Sequence, residues 1–208
     1  MNNINYIQLI EQKTSDEPGA RIAEFATWPD FGERVQHFHN DLDGMRPAAV
    51  LIPIVSQDNE LFVLLTERSR HMTNHPGQIS FPGGAKEGNE SVLETAIREA
   101  EEEIGLPRAQ VRPLGFLSQY PTITNFRVNP VIAEVVGDFT PRLQTEEVVS
   151  LIRVPLSFLM DKSNHQLCEI TFREEKVEIV EIIYEGHRIW GATAGMILHM
   201  YETLFLNN

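Results

Sequence analysis

The chain has 208 residues, 42% of them apolar and 23% charged, which fits one soluble globular domain and excludes the disordered and membrane-spanning classes. Its 17 Lys+Arg against 30 Asp+Glu leave a net charge of −13, which argues against nucleic acid or an anionic membrane as partner, since both repel such a surface. The one cysteine, Cys168, cannot close an internal disulfide, and Met1–Pro18 has no basic stretch followed by an apolar run, so a cytoplasmic protein is expected.

Residues 1–46 read as a polar, mixed N-terminal segment packed on a domain of residues 47–208, with an amphipathic helix around Gly19–Phe38. Val50–Ser56 and Leu61–Thr66 are strand-like runs flanking Gln57-Asp58-Asn59-Glu60, which predicts a hairpin with a four-residue loop. Ile79–Phe81 is a short extended piece, and Pro82-Gly83-Gly84 after it reads as a turn. Ser91–Ile104 is the clearest helix: Ser91 and Glu94 make a capping box, and Gly105 then Pro107 give the stop. Strands are expected at Val111–Ser118, Val128–Val136, Glu169–Phe172, Val177–Tyr184 and His187–Trp190, and a closing helix at Ala192–Phe205. Strands mixed with a few helices, without strict alternation, predict the α/β (α+β) class with a mixed β-sheet covered by helices.

On a helical wheel of Ser91–Ile104, Leu93, Ala96, Ile97, Ala100 and Ile104 form the face expected to be buried. Glu99, Glu102 and Glu103 fall on the other side, within an arc of about 100°. Carboxylates at this spacing repel one another, and two of them stand near the helix C-terminus, where the dipole disfavours anions. The lone basic residue among them, Arg98, does not neutralise the group. Between Lys86 and Glu103 there are seven Glu and two basic residues, so a good part of the negative excess is gathered here. Hard oxygen donors aimed at one region suit a divalent cation, Mg²⁺ or Mn²⁺.

Gly84, five residues, Glu90, seven residues, then Arg98-Glu99-Ala100-Glu101-Glu102-Glu103-Ile104-Gly105-Leu106 resembles the Nudix box of the Nudix hydrolases at every fixed position. Only Ala100, where the pattern prefers a bulky aliphatic residue, departs from it. The resemblance implies a Nudix-type α/β/α sandwich and metal-dependent cleavage of a diphosphate linked to a nucleoside. It implies that Glu99, Glu102 and Glu103 hold the metal, one of them also deprotonating the attacking water, and that Arg98 orients them. Glu90, paired with Arg98, and Gly105 would be structural. Gly83 or Gly84 would let the loop backbone approach closely and offer a carbonyl to the metal. Glu147 is either an additional acid supplied from outside the box or a solvated loop acid.

Upstream, Leu64-Leu65-Thr66-Glu67-Arg68-Ser69 and Gly77-Gln78-Ile79-Ser80-Phe81-Pro82-Gly83-Gly84 look like the extended motif of the coenzyme A diphosphatase branch. Similarity runs on through Pro121-Thr122, Glu147-Val148, Val154–Leu159 and Arg188–Ala194. Thr73 stands where that motif often has Arg. The branch implies hydrolysis of coenzyme A or acyl-CoA, with Arg68, Arg70, His75 and Phe81 as substrate-binding candidates; Arg68 is the foremost, because Arg suits bidentate phosphate recognition. The alternative substrates are ADP-ribose and other nucleoside diphosphate derivatives. From a different class, a non-catalytic ligand sensor of the same fold would typically lose box glutamates, and all are kept here. The partner expected is thus a small molecule, with a homodimer left open. His37, His39, His71 and His75 lack a convincing third ligand, so no zinc site is expected, and Trp190 reads as core.

Overall fold

In the computed structural model, which describes residues 3–19, 22–23, 44–71, 76–172 and 174–206, alternation along two long strands sorts apolar side chains to two faces of one sheet. These strands are β1 (Arg46–Gln57) and β2 (Glu60–Arg68). Ala48, Ile52, Ile54, Leu61, Val63 and Leu65 join one core cluster, whereas Ala49, Leu51 and Leu64 join another on the opposite face. The strands β3 (Ile79–Ser80), β4 (Gly83–Ala85), β5 (Val111–Phe116), β6 (Tyr120–Pro121), β7 (Phe126–Val135) and β8 (Val148–Pro155) complete this sheet. Its order is β3-β2-β1-β7-β5, with β4 beside β1, β6 beside β7 and β8 beside β2. The β1–β7 pair is parallel and the rest are antiparallel, so the sheet is mixed.

Helix α2 (Val92–Ile104) covers one face through Ala96, Ala100 and Ile104. Helices α1 (Asn3–Lys13) and α4 (Ala192–Phe205) cover the other through Tyr6, Ile10, Met196, Ile197 and Leu204. The result is an α/β/α sandwich. A short helix α3 (Leu156–Leu159) follows β8. A second antiparallel sheet, β9 (Gln166–Phe172), β10 (Glu175–Tyr184) and β11 (His187–Trp190), packs Val180, Ile182 and Ile189 into the α4 side of the core. Among the described residues, no helix is long and apolar enough to cross a membrane.

Several expectations are revised. The β1–β2 loop has two residues rather than four: Asp58 (φ 51°) and Asn59 (φ 62°) are both left-handed, while Gln57 and Glu60 already pair. Such a two-residue turn matches strand twist, and Asp and Asn tolerate positive φ well. Pro82-Gly83-Gly84 does not end the extended chain, because Gly83 and Gly84 pair with Val50 and Ala49 as β4. A side chain at Gly83 would strike the Ala49 carbonyl, so only glycine lets these backbones close up. Helix α1 and strand β8 were not foreseen. Ile22, inside the expected helix Gly19–Phe38, instead forms a bridge with Gln119; most of that stretch lies outside the described residues.

Candidate active site

The site is built on α2, whose ends are fixed locally. The Ser91 hydroxyl accepts the Glu94 N–H (3.2 Å), and the Glu94 carboxylate accepts the Ser91 N–H (2.8 Å), closing the capping box. At the other end Gly105 (φ 71°) takes the left-handed conformation and donates its N–H to the Ala100 and Glu101 carbonyls. The wheel needs one correction. Glu103 does not face away from the core but is only 4% exposed. It follows Ala96 by seven residues and Ala100 by three, so it lies along the edge of the apolar face.

Arg98 organises the front of the helix. Its Nε donates to Glu90 Oε1 (2.7 Å) and its Nη1 to Glu99 Oε1 (2.9 Å) and Glu102 Oε2 (3.0 Å). Its Nη2 donates to the Ala85 carbonyl (3.2 Å) and to Glu90 Oε2 (3.3 Å). One guanidinium thus ties β4, the loop before α2 and two box glutamates together. Glu90 also accepts the Thr95 hydroxyl (3.0 Å) and the Glu87 N–H (3.1 Å). The Arg98 hydrogen bonds above all hold its carboxyl well below the ordinary range, at about 2.

The opposite flank is less well satisfied. Glu103 meets Arg68 at 3.8 Å, an ion pair too long for a hydrogen bond, with side chains 5% and 20% exposed. Glu103 Oε2 and Arg68 Nε are both buried without a hydrogen-bond partner. Burial pushes the Glu103 carboxyl up to about 8, against the pull of Arg68. Burial also raises Glu99, although Arg98 opposes this. Glu147, outside the box, adds an electrostatic push that raises both Glu99 and Glu103. The Glu99 carboxylate lies over Gly84 so closely that a Cβ there would be 2.5 Å from Glu99 Oε1. The glycine is therefore what leaves room for this carboxylate.

The flanking motif joins the same edge. Arg68 donates its N–H to the Gln78 carbonyl (2.9 Å), and Gly77 returns one to Arg68 (3.1 Å). Ser69 donates to the Glu147 carbonyl (2.7 Å). The other substrate candidates are placed differently. Arg70 is exposed beside Gly77, whereas Phe81 is 2% exposed and part of the core, away from any ligand in solution. His75 lies outside the described residues, as do Thr73, His37 and His39. Trp190 is half-buried rather than core, with the Arg188 guanidinium carbon 5.2 Å from its ring centroid. Sequence reasoning missed the Thr95 hydroxyl and the Ala85 carbonyl as partners of the Glu90–Arg98 pair, and it did not bring Arg68 to Glu103.

A model of the NUDIX domain matches residues 45–167. A protein of Enterobacter sp. (strain 638), described as an uncharacterized Nudix hydrolase, NudL, is 35% identical over 176 residues, covering 82% of this chain and 91% of its own. The chain belongs to the Nudix hydrolases. A NudL of Escherichia coli O1:K1 / APEC is 37% identical over 153 residues, 73% of this chain and 79% of its own. Among solved structures, the C. elegans Ap4A hydrolase binary complex superposes with a TM-score of 0.47 at 19% identity, over 53% of this chain and 80% of that one. As a Nudix hydrolase the protein is an enzyme that acts on pyrophosphate bonds with the help of divalent metal ions.

The donor set fits such an ion. Glu103 offers a buried carboxylate oxygen with no hydrogen-bond partner, which a cation would satisfy. Glu99 and Glu147 add hard oxygen donors nearby, and Glu102, reaching outward with its side chain 59% exposed, adds a fourth. As the side chains stand, no three His, Cys, Asp or Glu among the described residues close on a single point; the Arg98 guanidinium lies between Glu99 and Glu102 and bonds both.

Proposed function

We propose that this Nudix hydrolase cleaves the diphosphate of coenzyme A, free or acylated, to adenosine bisphosphate and phosphopantetheine or its acylated form, with Mg²⁺ or Mn²⁺ held by Glu99, Glu102 and Glu103. The observation that carries the reading is the position of the flanking motif. Its two halves are hydrogen-bonded to each other at Arg68, and Arg68 is the cation beside the box carboxylate Glu103. A motif that belongs with coenzyme A hydrolysis in sequence is thus one wall of the catalytic edge, not a distant structural element.

The bound cation supplies charge neutralisation at the diphosphate oxygens and lowers the pKa of a bound water. The chain's own part is positioning. Arg98 holds Glu99 and Glu102 by hydrogen bonds at 2.9 and 3.0 Å, so their carboxylates are oriented before substrate arrives. Water attacks one phosphorus, the phosphoanhydride P–O bond breaks, and the water proton passes to a box carboxylate or to Glu147. Gly84 leaves room for the Glu99 carboxylate, and the Arg68 guanidinium suits the diphosphate oxygens in a bidentate grip.

A substrate panel of coenzyme A, acyl-CoA, ADP-ribose, NADH and diadenosine polyphosphate, with Mg²⁺ or Mn²⁺ and product identification, tests the reading. Release of adenosine bisphosphate from coenzyme A with the highest kcat/KM is expected. A clear preference for ADP-ribose or another nucleoside diphosphate derivative would replace coenzyme A as the substrate.

A further inference from the structure

We propose that Arg68 is the resident counter-ion of Glu103, displaced from it by the incoming divalent cation, so that cation binding is what frees this guanidinium for the substrate's phosphates. The inference rests on the pyrophosphate-hydrolase reading of the site but not on the choice of coenzyme A.

The Arg68–Glu103 pair is incomplete. Buried polar atoms are almost always hydrogen-bonded, and an exception in a native structure calls for an explanation. Here both members of one ion pair carry such an exception: Arg68 Nε and Glu103 Oε2 are each unpartnered, in side chains whose Nη1 and Oε1 stand 3.8 Å apart. A purely structural arginine–carboxylate pair in this position would close to a two-point contact, as Arg98 does with Glu90. The strand geometry also says why Arg68 is there. Even-numbered residues of β2 point to the α2 face, as Leu64 does, and β2 shifts register against β8 at Glu67/Arg68. Bulges of this kind accumulate beside active sites. Arg68 therefore arrives beneath Glu103, on the inner flank of α2, and not on the outer flank that Arg98 occupies.

With one positive charge already against Glu103, a divalent cation and the guanidinium compete for the same carboxylate and repel each other. Once the cation holds Glu103, Arg68 has lost its only ion pair among the described residues and needs an anion. A phosphate oxygen of the substrate supplies it. The two orphaned atoms are then satisfied together, one by the cation and one by substrate, and the cation binds before the diphosphate.

Calorimetric titration of the metal-free protein with Mn²⁺, without substrate, tests this for the wild type, Arg68→Gln, Arg68→Met and Arg68→Lys. Removing the competing charge should tighten Mn²⁺ binding about tenfold in the Gln and Met variants. The Lys variant, which keeps the charge, should stay within about twofold of the wild type while its KM for the diphosphate substrate rises, since an ammonium cannot grip bidentately. Weaker or unchanged Mn²⁺ affinity in both neutral variants would overturn the proposal and leave Arg68 as a substrate contact only. Because the titration contains no substrate, it holds or fails independently of the substrate panel, and the two neutral variants guard against loss of fold in one of them.

Discussion

Two arginine–glutamate pairs flank helix α2, and they are built on opposite plans. Arg98 and Glu90 meet at 2.7 Å, and nearly every donor and acceptor of the pair is used. Arg68 and Glu103 stand 3.8 Å apart, more deeply buried, with an unpartnered atom on each. The first pair is complete without any ligand and holds the scaffold. The second is complete only when something from outside enters it. Hydrogen bonds from Arg98 stabilise the charged form of Glu90 and hold it at about 2, while at Glu103 burial outweighs Arg68 and the Gly83 N–H and pushes the carboxyl up to about 8.

The largest effect comes from breaking the second pair. Glu103→Gln should lower kcat by roughly three orders of magnitude, as expected when an electrostatic anchor of the reacting groups is lost. Without divalent cations the same variant should be more stable than the wild type by about 1 kcal/mol at neutral pH, because a neutral amide replaces a buried carboxyl. The sign follows from linkage. The folded pKa of Glu103 lies above its unfolded value, so the stability it contributes below about pH 4.5 is lost as pH rises towards about 8. Thermal unfolding in chelator across this range should show that slope in the wild type and a flatter one in the variant. A variant less stable than the wild type throughout would mean that Glu103 is a structural residue like Glu90.

Breaking the first pair should look different. Arg98→Ala removes the shared partner of Glu90, Glu99 and Glu102, so stability and activity fall together: about 2 kcal/mol in unfolding and about 10²-fold in kcat. Unchanged stability with lost activity would remove the contrast between the two flanks.

How much of this was legible in the sequence follows from the range of the signals. Helix α2 was readable to within a residue because its caps, Ser91, Glu94 and Gly105, and its apolar period are all local. The Glu90–Arg98 pair spans eight residues and came with the box. Arg68 and Glu103 are 35 positions apart and meet only because the sheet brings the end of β2 beside the last turn of α2, which no local pattern reports. Strand β4 was hidden for a related reason: Pro82-Gly83-Gly84 has the composition of a turn, and only the close backbone of β1 makes those glycines a strand. Phe81 lies within the flanking motif in sequence, but alternation turns it into the core.

The smallest effect is also the sharpest test of the satisfied pair. In Glu90→Gln the amide keeps one acceptor for Arg98 and Thr95 but carries no charge, so the helix front should remain assembled and the activity loss should be modest beside that of Arg98→Ala. What changes is the acid limb of the stability curve. The folded pKa of Glu90 is about 2, below its ordinary value of 4.5, so its stabilising contribution is present above pH 4.5 and is lost as pH falls towards 2. The variant should therefore lie below the wild type in unfolding temperature at pH 5 and above, and the two curves should converge as the pH drops towards 2. Because Glu90 sits at the helix front beside water, the separation at pH 7 should be small and should shrink in high salt, as it does for ion pairs near a surface. Parallel curves that never converge would place the effect of Glu90 in its shape and not in its charge, and the two flanks of α2 would then differ in burial alone.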